Sequence, residues 1–382
     1  MHGCVEIPGN QTHATMHLAT LPSKEDNMHF MKIYNKRVNY IFVLVIGLVI
    51  LTWDLTVIAS SRVWSAIPGS PDDCTKPVEV EAILNIAYFK PADGCGTVHQ
   101  LDIYHPRGLS NTIVLFFVHG GAFRQGDKNE HIELGVTYAG YYNYTTVVVN
   151  YRLSSAPYYA VHPDHINDVS KAFSWTYHNI SKYGGDPEKI YIFGQSAGAH
   201  LVALLATDNR YLQAEGISNS EIKGVIAMSG TYDLYQLVNW PENPVKLNDQ
   251  AMFMYYGLIY RPFGTLEQSP LDAASAVTHI NQSQPPFHLV ALEETPDFKD
   301  MPGFSQQSSD FYNRIKSIPQ HPFVDLIRLK QSDIPPEIQE KYQGDINGHL
   351  QEIYAIIPKY YNWLPAATVS HFIETIESTH SR

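Results

Sequence analysis

The chain runs to 382 residues, 44% apolar and 17% charged, with 26 Lys and Arg against 38 Asp and Glu. That apolar share supplies a large core and excludes a disordered chain, while a formal net charge of −12 excludes the basic stripe that a nucleic-acid surface needs. Three cysteines are too few for a disulfide scaffold, and without a CxxC, HExxH or HxH pattern the 18 histidines imply no metal site.

Residues 1–39 are polar and carry Lys24, Lys32, Lys36 and Arg37 ahead of an apolar run from Tyr40 to Ser61, interrupted by Asp54. A membrane-spanning helix needs about 20 mostly apolar residues, so the run reads as a transmembrane signal anchor. The basic residues before it keep the N-terminal tail cytosolic, which sends everything beyond it to the lumenal or extracellular side. A signal peptide cleaved near Ala59 is the rival reading, though its polar leader would be unusually long. A buried core helix is a third. Translocation agrees with N-glycosylation tripeptides at Asn143, Asn179 and Asn281. It would also let Cys74 and Cys95 pair in an oxidising compartment, leaving Cys4 reduced.

A Pro- and Ser-rich connector over 62–74 leads to a catalytic domain expected to fill 75–382. Val98–Tyr104 alternates with period two and predicts an early antiparallel strand. Thr112–Val118 and Thr146–Asn150 are continuous apolar runs expected of strands buried on both faces, Ile190–Phe193 reads as another buried strand, and Ile222–Met228, Phe287–Leu292 and Val324–Leu329 complete the strand set. Helices are predicted at His165–Tyr183, Leu201–Ala206, Gln307–Ile318 and His349–Tyr361. This alternation implies an α/β fold with a doubly wound, mostly parallel sheet. Residues 235–268, rich in Tyr, Pro and Asn, break the rhythm and read as an insertion over the mouth of a site or as irregular core.

The sequence Gly194-Gln195-Ser196-Ala197-Gly198 matches GxSxG, directly after the strand IYIF and directly before the helix AHLVALLA. A sharp strand-to-helix turn tolerates only small neighbours and presents Ser196 above the sheet at a helix N-terminus, the setting of a nucleophile. Such a serine needs a base and an oxyanion site. His119-Gly120-Gly121-Ala122-Phe123 follows a strand in the position of the oxyanion loop, which makes Gly121, Ala122 and Ala197 the expected amide donors. No GxxxxGK or GxGxxG pattern accompanies it, so no cofactor is implied. The chain order Ser, acid, His points to His349 as base, ahead of His321 and His371. The loop after Phe287–Leu292 offers Glu293, Glu294 and Asp297 as the acid, with Glu294 favoured and Asp297 next.

The combination FFVHGGAFRQGDK, VVVNYRLS, YGGDPEKIYIFGQSAGAHLVALLA, MSGTYDL and NGHLQEI resembles α/β-hydrolase-fold esterases of the hormone-sensitive-lipase-like group. The similarity is closest to kynurenine formamidases and isoprenylcysteine methylesterases. It runs from about Val98 to Tyr361 and is most specific over Tyr183–Ala206. The resemblance implies Ser196 as nucleophile, His349 as base and Glu294 as acid, where the family usually has Asp. It implies hydrolysis of a small-molecule carboxylic ester through an acyl-enzyme, or of a formamide on the same triad. A catalytically silent, membrane-anchored adhesion or scaffold protein on this fold is the alternative of another class.

Overall fold

The computed structural model describes residues 62–64, 77–90, 98–239, 256–297, 300–301, 303–341, 348–349, 351 and 364–380. The expected anchor at 40–61 and Cys4, Cys74 and Cys95 lie outside them. Among the described residues no helix is long and apolar enough to cross a membrane.

The strands are β1 (Arg62–Trp64), β2 (Val80–Ala87), β3 (Gln100–Pro106), β4 (Thr112–Val118), β5 (Thr145–Val149), β6 (Gly185–Gln195), β7 (Ile222–Met228), β8 (Phe287–Leu292) and β9 (Val324–Leu329). They form one sheet in the order β1-β2-β3-β5-β4-β6-β7-β8-β9. The pairs β1–β2, β2–β3 and β3–β5 are antiparallel, and from β5 across to β9 the sheet is parallel. The helices that cover it are α1 (Ile132–Tyr142), α2 (Asp164–Asn179), α3 (Ala197–Thr207), α4 (Leu234–Val238), α5 (Phe304–Lys316) and α6 (Leu364–His380).

Period-two alternation assigns each strand residue to a face. Val114, Phe116, Ile190 and Ile192 pack with Val169 and Phe173 of α2, Val202 of α3 and Phe311 of α5. Their neighbours Leu115, Phe117, Tyr191 and Phe193 pack on the other side with Leu134 and Tyr138 of α1 and Phe372 and Ile376 of α6. Both faces being covered, the central strands are continuous apolar runs.

Several elements depart from expectation. Arg62–Trp64, placed in the connector, pairs with Val80–Ala82 as an edge strand. β2 escapes notice because its register shifts between Ile83 and Ile86, and Asn85 takes φ +59°, which breaks its alternation. α1 carries Gly135 and Gly140 in its body and closes on Asn143 in the left-handed region, so its helical signal is weak. The C-terminal segment is a core helix, with Val369 and Ile373 fully buried. Beyond Gln351, most of the expected helix His349–Tyr361 lies outside the described residues.

Where β2 bulges, the fold encloses an ion pair. Lys128, 1% exposed, sets its Nζ 2.9 Å and 3.0 Å from the two carboxylate oxygens of the fully buried Asp102 and donates to Asn85 Oδ1 at 2.7 Å. Burial pushes the Asp102 carboxyl above its usual value, while Lys128 and the Asn85 amide pull it back. Removing one partner of such a pair strands the other charge, at a cost of about 3 kcal/mol. Lys128→Met is therefore expected to destabilise the protein by about 3 kcal/mol in urea unfolding.

Candidate active site

β6 ends at Gln195 and α3 begins at Ala197, so Ser196 alone makes the turn, at φ +55° and ψ −119°. A side chain at Gly194 would place its Cβ 2.3 Å from Gly198 O, and one at Gly198 would sit 2.0 Å from Val118 O. The small residues of the pattern are thus required by a close approach of backbone to backbone. The turn is held by Ser196 N–H donating to Met228 O at 2.9 Å.

His349 Nε2 lies 3.1 Å from Ser196 Oγ, and its Nδ1 lies 2.8 Å from Asp300 Oδ1. All three residues are buried, and Phe304, the first residue of α5, meets the imidazole edge-on at 5.4 Å. The structure therefore brings Ser196 and His349 together, with Asp300 and not the expected Glu294 on the other ring nitrogen. Glu294 is exposed, and its Oε1 accepts the backbone N–H of Asp300 at 3.0 Å. Glu293 and Asp297 are exposed as well. The loop after β8 runs on past these residues before α5 begins at Phe304, and the acid comes from its far end. The signal in the sequence was position: Asp300 stands closest to the start of α5.

Gly121, Ala122 and Phe123 have φ of +100°, +56° and +59°. Three consecutive left-handed residues curl a loop so that amides face one side. Its carbonyls are engaged: His119 O accepts from Tyr151 Oη at 3.0 Å, Phe123 O from Ser154 N at 2.7 Å and Arg124 O from Ser155 Oγ at 2.6 Å. The loop passes Ser196 closely, since a Cβ at Gly120 would lie 3.2 Å from Ser196 Cβ. Ala197, as first residue of α3, has no acceptor for its amide within the helix. An apolar pocket opens on Ser196 and Ala197, lined by Phe123, Leu237, Leu258, Ile259 and Phe304 with Thr231. Leu237, Leu258 and Ile259 belong to the irregular segment 235–268.

Histidines pack beneath this loop. His119 stacks on Tyr151 at 4.5 Å and on His131 at 6.1 Å, while Phe123 meets His165 and His200 edge-on, each at 5.4 Å. Burial lowers all of them from the usual 6.5, His131 and His165 to about 3 and His200 to about 4. They are neutral, structural rings. Among the described residues no group of three or more His, Cys, Asp or Glu is arranged to hold a metal.

A profile of the BD-FAE family matches residues 101–313, more than half of the chain. The chain belongs to the BD-FAE family. It is 31% identical over 235 residues to the probable carboxylic ester hydrolase LipM of Mycobacterium tuberculosis, covering 60% of this chain and 51% of LipM. It is 38% identical over 148 residues to the isoprenylcysteine alpha-carbonyl methylesterase ICME of Arabidopsis thaliana, covering 37% of this chain and 33% of that one. The chain thus spans about half the length of LipM and a third of ICME. Esterase B of Lactobacillus rhamnosis shares the fold, with a TM-score of 0.57 at 21% identity over 78% of this chain and 85% of that one. This BD-FAE member has the α/β-hydrolase fold expected from its motifs.

Two outcomes are expected. Asp300→Asn lowers turnover of an activated ester about 10³- to 10⁴-fold by fixing the wrong imidazole tautomer, whereas Glu294→Gln, which keeps an acceptor for the Asp300 amide, costs less than about tenfold. Because the unfolded chain takes up protons near pH 6.5 that buried His131 refuses until about 3, stability falls as pH drops below about 6.5. His131→Gln should flatten that slope, measured by urea unfolding at several pH values, by up to about 1.4 kcal/mol per pH unit.

Proposed function

We propose that the protein is a serine hydrolase of carboxylic esters acting through an acyl-enzyme. The observation that carries this reading is the hydrogen-bonded chain from Ser196 Oγ through His349 to Asp300 Oδ1. Ser196 Oγ attacks the acyl carbon while His349 Nε2 takes its proton, and Asp300 holds the Nδ1–H tautomer and stabilises the imidazolium. The oxyanion forms against the amides of Gly121, Ala122 and Ala197. His349 then gives its proton to the departing alcohol. Water, activated by the same imidazole, releases the acid and restores Ser196.

The mostly apolar lining at Ser196 agrees with a substrate that carries a hydrocarbon group next to the reacting carbonyl. The names of the relatives agree, being carboxylic ester hydrolase and methylesterase. The apolar run Tyr40–Ser61 with basic residues ahead of it supports a signal anchor, and with it a domain on the lumenal or extracellular side of a membrane. Asn143, exposed at the end of α1, is the best-presented of the three glycosylation sequons, because Asn179 and Asn281 are half-buried with their side-chain amides bonded to backbone carbonyls.

A fluorophosphonate probe is expected to label the wild type and to leave Ser196→Ala unlabelled; a folded wild type that takes no label would remove the hydrolase reading. Glycosidase treatment of protein from a secretory cell should lower its apparent mass, and an unchanged mass would count against the lumenal placement.

A further inference from the structure

Asp300 is gripped by a residue to which the sequence, although it lies in the MSGTYDL stretch, assigns no role. Ser229 follows directly on β7, fully buried, with φ +41°. A left-handed backbone is unfavourable for any residue with a Cβ and persists only where the surroundings impose it. The surroundings here are clear: Ser229 N–H donates to Val290 O at 2.9 Å, which fixes the backbone to β8, and Ser229 Oγ donates to Asp300 Oδ2 at 2.8 Å. The other carboxylate oxygen, Oδ1, accepts from His349 Nδ1 at 2.8 Å and from Met301 N at 2.7 Å.

Each oxygen of Asp300 thus has its own donors, and they are not interchangeable. Met301 N–H belongs to the next residue in the chain and moves with the loop. Ser229 belongs to the sheet. A carboxylate on a loop can turn about its Cβ–Cγ bond, and a donor fixed in the sheet that holds Oδ2 stops that rotation. The rotation would otherwise carry Oδ1 away from His349.

We propose that Ser229 is a positioning residue for the hydrolytic relay. Its hydroxyl, held in place by a left-handed backbone at the end of β7, locks the Asp300 carboxylate with Oδ1 toward His349. The inference rests on the esterase reading above.

Two substitutions in the full chain separate this role from a merely structural one. Ser229→Ala removes the hydroxyl and keeps the unfavourable backbone; Ser229→Gly removes the hydroxyl and relieves it. Both are expected to lower kcat for p-nitrophenyl acetate about 10- to 100-fold, the range for losing one hydrogen bond to a charged group, with KM within about twofold. The glycine variant should melt above the alanine variant without regaining rate, so that activity does not follow stability. Without the Ser229 donor the carboxylate turns Oδ1 away from the imidazolium and stabilises it less, so the acid limb of kcat/KM against pH should move downward in both variants. Rates within about twofold of wild type, or a glycine variant that recovers wild-type kcat, would overturn the proposal. The rate of fluorophosphonate capture by Ser196, compared across the same proteins, requires the activated serine but no particular ester. A wild type that captures the probe yet hydrolyses no ester would therefore sink the ester reading while the capture rates still decide the role of Ser229.

Discussion

The site depends on how closely two stretches of backbone approach each other. Where β6 turns into α3, the turn folds back on itself so tightly that no Cβ fits at Gly194, and it comes so near to the end of β4 that none fits at Gly198. That approach leaves Ser196 standing alone in a left-handed turn, points the amide end of α3 at it, and brings the loop after β4 alongside. Strands β4 and β6 are direct neighbours, with Val118 opposite Gly194. The oxyanion loop and the nucleophile are consequently set against each other by sheet register, which a loop-to-loop contact could not hold as tightly.

The rest of the arrangement follows from the same parallel sheet. In open α/β sheets, functional groups gather beyond the carboxyl ends of the strands. Ser196 follows β6, Ser229 follows β7, and Asp300 comes from the loop after β8. The strands carry them at one edge, and hydrophobic burial on both faces supplies the rigidity. The histidines beneath the oxyanion loop add to this in an unusual way. Rings that are neutral at pH 7 pack like aromatics against Phe123 and Tyr151, so they fill space under the loop without bringing charge close to the developing oxyanion.

Much of this could be read from the chain. Strands buried on both faces announce themselves as unbroken apolar runs, as β4 and β5 did, and seven of the nine strands were legible in the sequence. GxSxG between a strand and a helix carries its own geometry, because its glycines are demanded by backbone contacts within the turn and with the end of β4. His349 was reachable from chain order. The acid was not, because any of several carboxylates in one loop satisfies that order, and which one turns inward is decided by three-dimensional closure. Glu294 lies near the strand and points outward to take the Asp300 amide; Asp300 lies farther along and is buried. Ser229 stood within the MSGTYDL stretch, but the sequence assigned it no role, since a serine at a strand end has many bland uses. β2 and α1 were missed for local reasons, a bulge in one and two glycines in the other.

The hydrogen-bonded relay joins residues far apart in the chain: 153 positions separate Ser196 from His349, and 49 separate Asp300 from it. During synthesis, the serine leaves the ribosome long before its partners exist. A nascent chain therefore has no proton acceptor for Ser196 until residue 349 has emerged and docked against Phe304. Contacts of such long range form late in folding. On the proposed reading, a chain that ends before residue 349 would carry Ser196 with no imidazole to take its proton, and would be chemically inert.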